Sequence, residues 1–201
     1  MKIGPKYKIA RRLGPAVFEK TQTAKFTLSE QKRKQKRWNR PRTNFAVQLL
    51  EKQRVRFTYG ITERQLRKYV NEVIASKTNK PADELYAKLE RRLDSIILRS
   101  GMAKTRFQAR QASSHGHFSI GGKKVTIPSR QISQKDEIKL RDAKKESPLY
   151  TEYAETFKEV SIPKWISVDP KEFSIKLTGV PTYNQTELPF DLLTVIQFYK
   201  R

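Results

Sequence analysis

From residue 44 onward the polar and apolar positions change rhythm twice, first to helical spacing and later to alternation. Asn44 to about Thr58 favours a helix, and Gly60 sits where a left-handed C-terminal cap belongs. Thr62-Glu63-Arg64-Gln65 has the T-x-x-Q form of a capping box and opens a second helix. In it Leu66, Val70, Val73 and Ile74 fall at i, i+4, i+7 and i+8, a single apolar stripe. Asp83 is placed to cap a third helix that carries Leu85, Leu89, Leu93, Ile96 and Ile97 inward and ends at Gly101. Thr105-Arg106-Phe107-Gln108 repeats the capping-box form, so a further helix is expected from Arg106 to about Ser114.

Past residue 117 the spacing turns to alternation. His117–Ile120 and Lys123–Ile127 flank Gly121-Gly122, which predicts a two-residue β-hairpin. Phe118 and Ile120 should point one way, as should Val125 and Ile127, leaving Lys124 on the opposite face. Ile138 and Leu140 alternate in a third strand at Glu137–Arg141. Strands are also expected at Ile166–Val168, Phe173–Leu177 and Leu193–Tyr199, with a helix at Glu152–Glu159. Residues 1–44 show no sustained period. Gly4-Pro5, Gly14-Pro15 and Pro41 interrupt them, and alone they cannot bury enough apolar surface to order themselves.

Charge alters the picture most. The 201 residues hold 43 Lys/Arg and 20 Asp/Glu, a net +23 with pI near 10.3. Self-repulsion of that size calls for a counter-charged partner. It is also uneven. Residues 1–60 carry 17 basic and three acidic residues, and Arg91 to Ser133 carry nine against Asp94 alone. Residues 134–191 are close to neutral, with nine basic and 11 acidic. The absence of cysteine removes disulfides, thiolate nucleophiles and cysteine zinc sites together. No run of about 18 apolar residues exists, and no signal peptide is expected at Met1–Ala10.

Three basic groups are therefore candidates for a polyanion. The first lies in residues 1–44: Lys6, Lys8, Arg11, Arg12, Lys32, Arg33, Lys36 and Arg37. Trp38 ends that run and suits either a stacked base or an anchor on the protein itself. The second is a corner between the first two helices, with Arg54, Arg56, Arg64, Arg67 and Lys68. The third is Lys104, Arg106, Arg110, Lys123 and Lys124, where Arg106 and Arg110 share a helix face and Lys104 flanks its N-terminus. Asp94 reads as a structural partner for a neighbouring Arg or N–H. His115 and His117 lack companion ligands, so no metal is expected, and Gly121-Gly122 is a turn and not a phosphate loop. No cofactor or catalytic residue is expected.

At these residues the chain resembles the bacterial-type small-subunit ribosomal protein S-four family. The motifs are Arg92-Leu93-Asp94, Arg99-Ser100-Gly101, Thr105-Arg106 with Ala109-Arg110-Gln111, His115, and Ile127-Pro128-Ser129. Gly4-Pro5-Lys6, Gln53-Arg54-Val55-Arg56, Tyr59-Gly60, Glu63-Arg64-Gln65 and the close at Val195–Lys200 extend the likeness over nearly the whole chain. The resemblance adds Tyr59, Arg92, His115 and Ser129 to the RNA-binding set. It implies an α+β fold: a mainly helical first domain with an inserted RNA-binding module made of a helix-turn-helix and a small antiparallel sheet. The expected division is a basic arm at 1–44, a helical domain at 45–90 completed by about 150–201, and the module at 91–149. Two departures stand out. The hairpin turn is Gly-Gly where the family usually has Asn-Gly. Ala112-Ser113 replace two larger aliphatics, a loss of volume that Phe107 is a candidate to fill. The zinc site of some relatives is absent with the cysteines.

The resemblance further implies a structural constituent of the small ribosomal subunit and no enzyme. It would be a primary binder of 16S-type ribosomal RNA that nucleates assembly, with neighbouring small-subunit proteins as partners. It would border the channel through which mRNA enters, without being a stable free homo-oligomer, away from membranes, in the cytoplasmic or an organellar ribosome. An RNA-modifying enzyme or tRNA-handling factor carrying the same module is the alternative, and a DNA-binding protein a third.

Overall fold

The structure, a computed structural model, describes residues 3–34, 43–151, 153, 157, 161–186 and 188–200. It divides into two compact units: Met1–Leu85 with Tyr183–Arg201, and Tyr86–Thr182. Among the described residues no helix is long and apolar enough to cross a membrane.

The first unit is helical: α1 (Lys6–Leu13), α2 (Ala24–Lys34), α3 (Asn44–Tyr59), α4 (Glu63–Ala75) and the first half of α5 (Pro81–Glu90), before the chain returns in its closing helix. The breaks at Gly4-Pro5 and Gly14-Pro15 prove to be helix ends. Pro5 precedes α1, and Gly14 at φ 111° stops it. Ala10, Leu13, Val17, Phe18 and Phe26 form a core with Leu50 of α3, so the early segment gains from α3 the apolar partner it lacks alone. Arg54 fixes the contact by donating from Nε to the Leu13 carbonyl at 2.8 Å. Helix α4 starts at the expected Thr62 cap and α3 ends at the expected Gly60, while the Thr43 cap of α3 was not anticipated. Thr43 and Thr62 accept from Ala46 N and Gln65 N, and Gly60 is left-handed.

Two expectations fail here. Asp83 does not cap; it lies in the first turn of α5, and its Oδ1 accepts from Tyr183 N at 2.7 Å. The final segment is a helix, Leu192–Tyr199, and not a strand. Its β-branched and aromatic residues favour a strand, but Leu192, Val195 and Ile196 fall at i, i+3 and i+4 and are buried together. Asp191 caps it, accepting from Leu193 N at 2.9 Å and from Thr194 Oγ1 at 2.7 Å. The helix packs on α3 through a Phe45–Phe198 ring contact of 5.8 Å, with Lys52 Nζ 4.4 Å from the Phe198 ring centre. Tyr199 donates to Glu63 Oε1 at 2.7 Å, beside Lys52 at 3.0 Å. Burial pushes the Glu63 carboxyl up, but these hydrogen bonds and the charges of Lys52 and Arg56 outweigh it and hold it below its ordinary value.

The second unit contains the end of α5, α6 (Leu93–Arg99), α7 (Arg106–Ser114) and a five-stranded antiparallel sheet. Its strands are β1 (Phe118–Ile120), β2 (Lys123–Val125), β3 (Glu137–Leu140), β4 (Ile166–Asp169) and β5 (Ser174–Leu177), in the order β2-β1-β3-β5-β4. Gly121 and Gly122 have φ 55° and 76°, the pair of positive values a tight hairpin turn needs. Phe118, Ile120, Val125, Ile138, Leu140, Ile166, Ile175 and Leu177 line the inner face and pack with Leu93, Ile96, Ile97 and Ala109. Ile127 is exposed, beyond the end of β2, and does not join them. Two short helical turns, α8 (Asp142–Lys145) and α9 (Pro148–Thr151), follow β3. The expected helix at 152–159 falls largely outside the described residues. In chain order the closing helix of the first unit is α10.

One helix was expected from Asp83 to Gly101; two are found. The chain leaves helical geometry at Arg92 (φ −70°, ψ 143°), which pairs with Gln131 in an isolated bridge. Leu93 N donates to Arg130 O at 2.9 Å and Asp94 N to Pro128 O at 3.1 Å. The unpaired N–H groups that open α6 are thus met by a distant backbone segment and not by a side-chain cap.

Ile196→Ala is expected to destabilise the first unit by about 2–5 kcal/mol, because it empties a buried site on α10. Urea unfolding with a probe in that unit checks this; a cost below about 0.5 kcal/mol would contradict the docking of α10.

Candidate nucleic-acid interface

Two carboxylates organise the corner between α6 and α7, and both are buried. Asp94, 3% exposed, takes a bidentate contact from Arg92, with Nε to Oδ1 at 2.9 Å and Nη2 to Oδ2 at 2.8 Å. Arg110 reaches the same Oδ2 at 2.6 Å from α7. Glu90 is fully buried. Arg99 grips it in the same two-pronged way at 2.9 Å on both oxygens, and Arg106 lies 3.6 Å from it. Arg106 also donates to Ser95 Oγ at 2.9 Å, which donates onward to Leu89 O. Burial pushes the Asp94 carboxyl up, but its hydrogen bonds and the charges of Arg92 and Arg110 hold it below its ordinary value.

Several residues of the expected RNA-binding set are engaged within the protein. Arg92, 2% exposed, is turned inward onto Asp94. Arg106 and Arg110 do share a face, but it is the face against α6, where their guanidinium groups meet Glu90, Ser95 and Asp94. Tyr59 is 2% exposed and rests on Phe190 at a ring distance of 6.0 Å. Arg54 pairs with Glu51 and Leu13 O, and Arg56 with Glu63 at 3.4 Å, so neither stands open at the α3–α4 corner. Phe107 is exposed and fills none of the volume left by Ala112 and Ser113; Ser113 instead donates to Ala109 O at 2.8 Å.

Other candidates do face solvent. In the second unit these are Lys104, His115, Lys123 and Lys124, with Ser129 half-buried. Gly116, at φ 67°, lets the Lys124 stem lie across the end of α7, where a Cβ would stand 2.2 Å from Lys124 Cε. The His115 ring stands 6.1 Å from His117, which is buried and 3.0 Å from the Tyr150 hydroxyl. Burial, with Lys144 and His115 nearby, lowers the His117 pKa, and burial raises Tyr150 to about 12. In the first unit Lys8, Arg11 and Arg12 are exposed on α1, Lys32 on α2, and Arg64, Arg67 and Lys68 on α4; Lys6 is half-buried with Nζ 6.0 Å from the Phe18 ring. Lys36, Arg37 and Trp38 lie outside the described residues, as does the Arg33 side chain. Sequence reasoning passed over Arg130 and Lys139, both exposed. Arg130 adjoins Ser129, and Lys139 takes the outward position between Ile138 and Leu140; alternation could have found it. Among the described residues no group of three or more His, Cys, Asp or Glu is placed to hold a metal.

Comparison with known proteins bears on this surface. Residues 1–90 match the family model of the ribosomal protein S4/S9 N-terminal domain, and residues 91–138 match the S4 domain. The chain is 38% identical over 201 residues to small ribosomal subunit protein uS4 of Persephonella marina, covering 98% of this chain and 97% of the relative. It is 40% identical over 159 residues to the Corynebacterium kroppenstedtii protein of that name, 79% of each. The chain belongs to the small ribosomal subunit protein uS4 family. In this uS4 chain the S4-domain match begins at Arg91, and the motif residues Arg92-Leu93-Asp94 and Ile127-Pro128-Ser129 meet in space. Asp94 N on Pro128 O and Ile132 N on Arg91 O stitch the two together.

Asp94→Ala should lower the stability of the second unit by about 3–5 kcal/mol at neutral pH, because it leaves Arg92 buried without its counter-charge. The native chain draws this stabilisation from a carboxyl whose folded pKa is depressed. It is fully present above the ordinary value of 3.8 and is lost as pH falls through the lower folded value. The gap between the native chain and Asp94→Ala should therefore close in acid; denaturant titrations at pH 7 and below pH ~3 compare them.

Proposed function

We propose that this chain is a structural constituent of the small ribosomal subunit that binds 16S-type ribosomal RNA directly and early enough to nucleate assembly. One observation carries the reading: between Arg91 and Ser133 the one carboxylate is buried, while Lys104, Lys123 and Lys124 are exposed. That stretch presents cations to solvent and keeps its anion inside, which suits a folded phosphate backbone. The exposed Lys8, Arg11, Arg12, Arg64, Arg67 and Lys68 give the first unit a basic surface of its own. Membership of the uS4 family supports ribosomal RNA as the polyanion and other small-subunit proteins as neighbours. The finer parts of the proposal are a protein that forms no stable free homo-oligomer, in the cytoplasmic ribosome, beside the channel through which mRNA enters, with no catalytic role.

Binding of the full chain to a 16S-type RNA junction, followed against salt, tests this. A steep negative slope of log K on log salt is expected. Lys123→Ala with Lys124→Ala should make it shallower by roughly 0.7–0.9 for each phosphate contact removed. Salt-independent binding, or loss of the protein from salt-washed small subunits, would defeat the proposal.

A further inference from the structure

Phe107 is the most exposed large apolar side chain among the described residues, at 68%. It stands on the first turn of α7, exposed, one helical row over from Arg110. Phe107, Gln111 and Ser114 fall at i, i+4 and i+7 and are all exposed, so they form one strip along the helix. Exposed Lys104 precedes the strip, and His115 with Lys124 closes it. No carboxylate occurs in the sequence between Asp94 and Asp136. From Phe107 to His115 the helix rises about 12 Å, the length of three or four stacked nucleotides.

An aromatic ring held in water between two cations, with amide and hydroxyl groups between, fits one partner chemistry on this face. We propose that the outer face of α7 binds unpaired nucleotides of RNA, with a base stacked on Phe107 and phosphates of the same strand on Lys104 and, a few nucleotides along, on Lys124. The charge of the strip selects a polyanion. The ring selects single strands over duplex, because only an unpaired base can offer its π-face to a side chain. His115 is the second ring of the strip, set edge-on against His117, which the Tyr150 hydroxyl meets at 3.0 Å. The inward Arg106 and Arg110 hold α7 in place but take no part in the stacking.

The inference rests on the RNA-binding reading above, and its test separates the two. The full-length chain is titrated with oligo(A) of about 12 nucleotides and with an RNA duplex of similar length. Phe107→Leu keeps an apolar side chain without a π-face, and Phe107→Tyr keeps the ring. Phe107→Leu should bind oligo(A) roughly 5- to 150-fold more weakly than the native chain. Its duplex affinity and salt slope should not change, and Phe107→Tyr should bind like the native chain. Equal oligo(A) binding by Phe107→Leu overturns the stacking proposal and gives Phe107 to a protein neighbour, leaving RNA binding intact. Equal losses on single strand and duplex also overturn it. If the native chain binds neither RNA, the RNA-binding reading itself fails and the stacking proposal with it.

Discussion

Asp94 and Glu90 each sit without solvent between arginines, and the second unit is arranged around them. A buried carboxylate is costly unless charge and hydrogen bonds replace its water. Asp94 meets that need through Arg92 on its own chain segment and Arg110 from α7. Glu90 meets it through Arg99 and Arg106. Satisfying both anions fixes the position of α7 against α6. It also forces the chain out of helical geometry at Arg92, and the opened N–H groups recruit the backbone of residues 128–132. The sheet is tied in from there, since that same segment leads from β2 to β3.

The two cation types divide accordingly. Arginine, with a planar fork that can grip a carboxylate at two points, supplies the interior partners Arg92, Arg99, Arg106 and Arg110. Lysine, a strongly hydrated point charge on a flexible stem, stays outside at positions 104, 123 and 124. The arginine pairs set the shape, and the lysines remain exposed on the outside. A basic sequence can therefore spend several of its arginines on its own buried carboxylates.

Much of this was readable in the residues. Thr62, Thr105, Gly60 and the Gly121-Gly122 turn act within a few residues of themselves, so local chemistry placed α3, α4, α7 and the hairpin correctly. The misreadings are those that needed a distant partner. Leu193–Tyr199 alternates well enough for a strand, but a helix buries Leu192, Val195 and Ile196 together, and its Phe198 meets Phe45 of α3. Residues 6–34 lacked an apolar face until Leu50 supplied one. Arg92 and Tyr59 entered the RNA-binding set through the resemblance, and their burial against Asp94 and Phe190 is decided by the tertiary fold.

By itself the sequence determined the charge imbalance, the caps, the turn, the α+β order of elements and the family resemblance. All of these depend on composition or on neighbours within about one helical turn. Tertiary structure alone decided which cations remain outside. Whether an arginine faces solvent or a carboxylate depends on where the acid ends up, and Glu90 and Asp94 are buried only because α5, α6 and α7 close around them. The same closure turned Phe107 outward, from a candidate for the core to the most exposed ring on the helix.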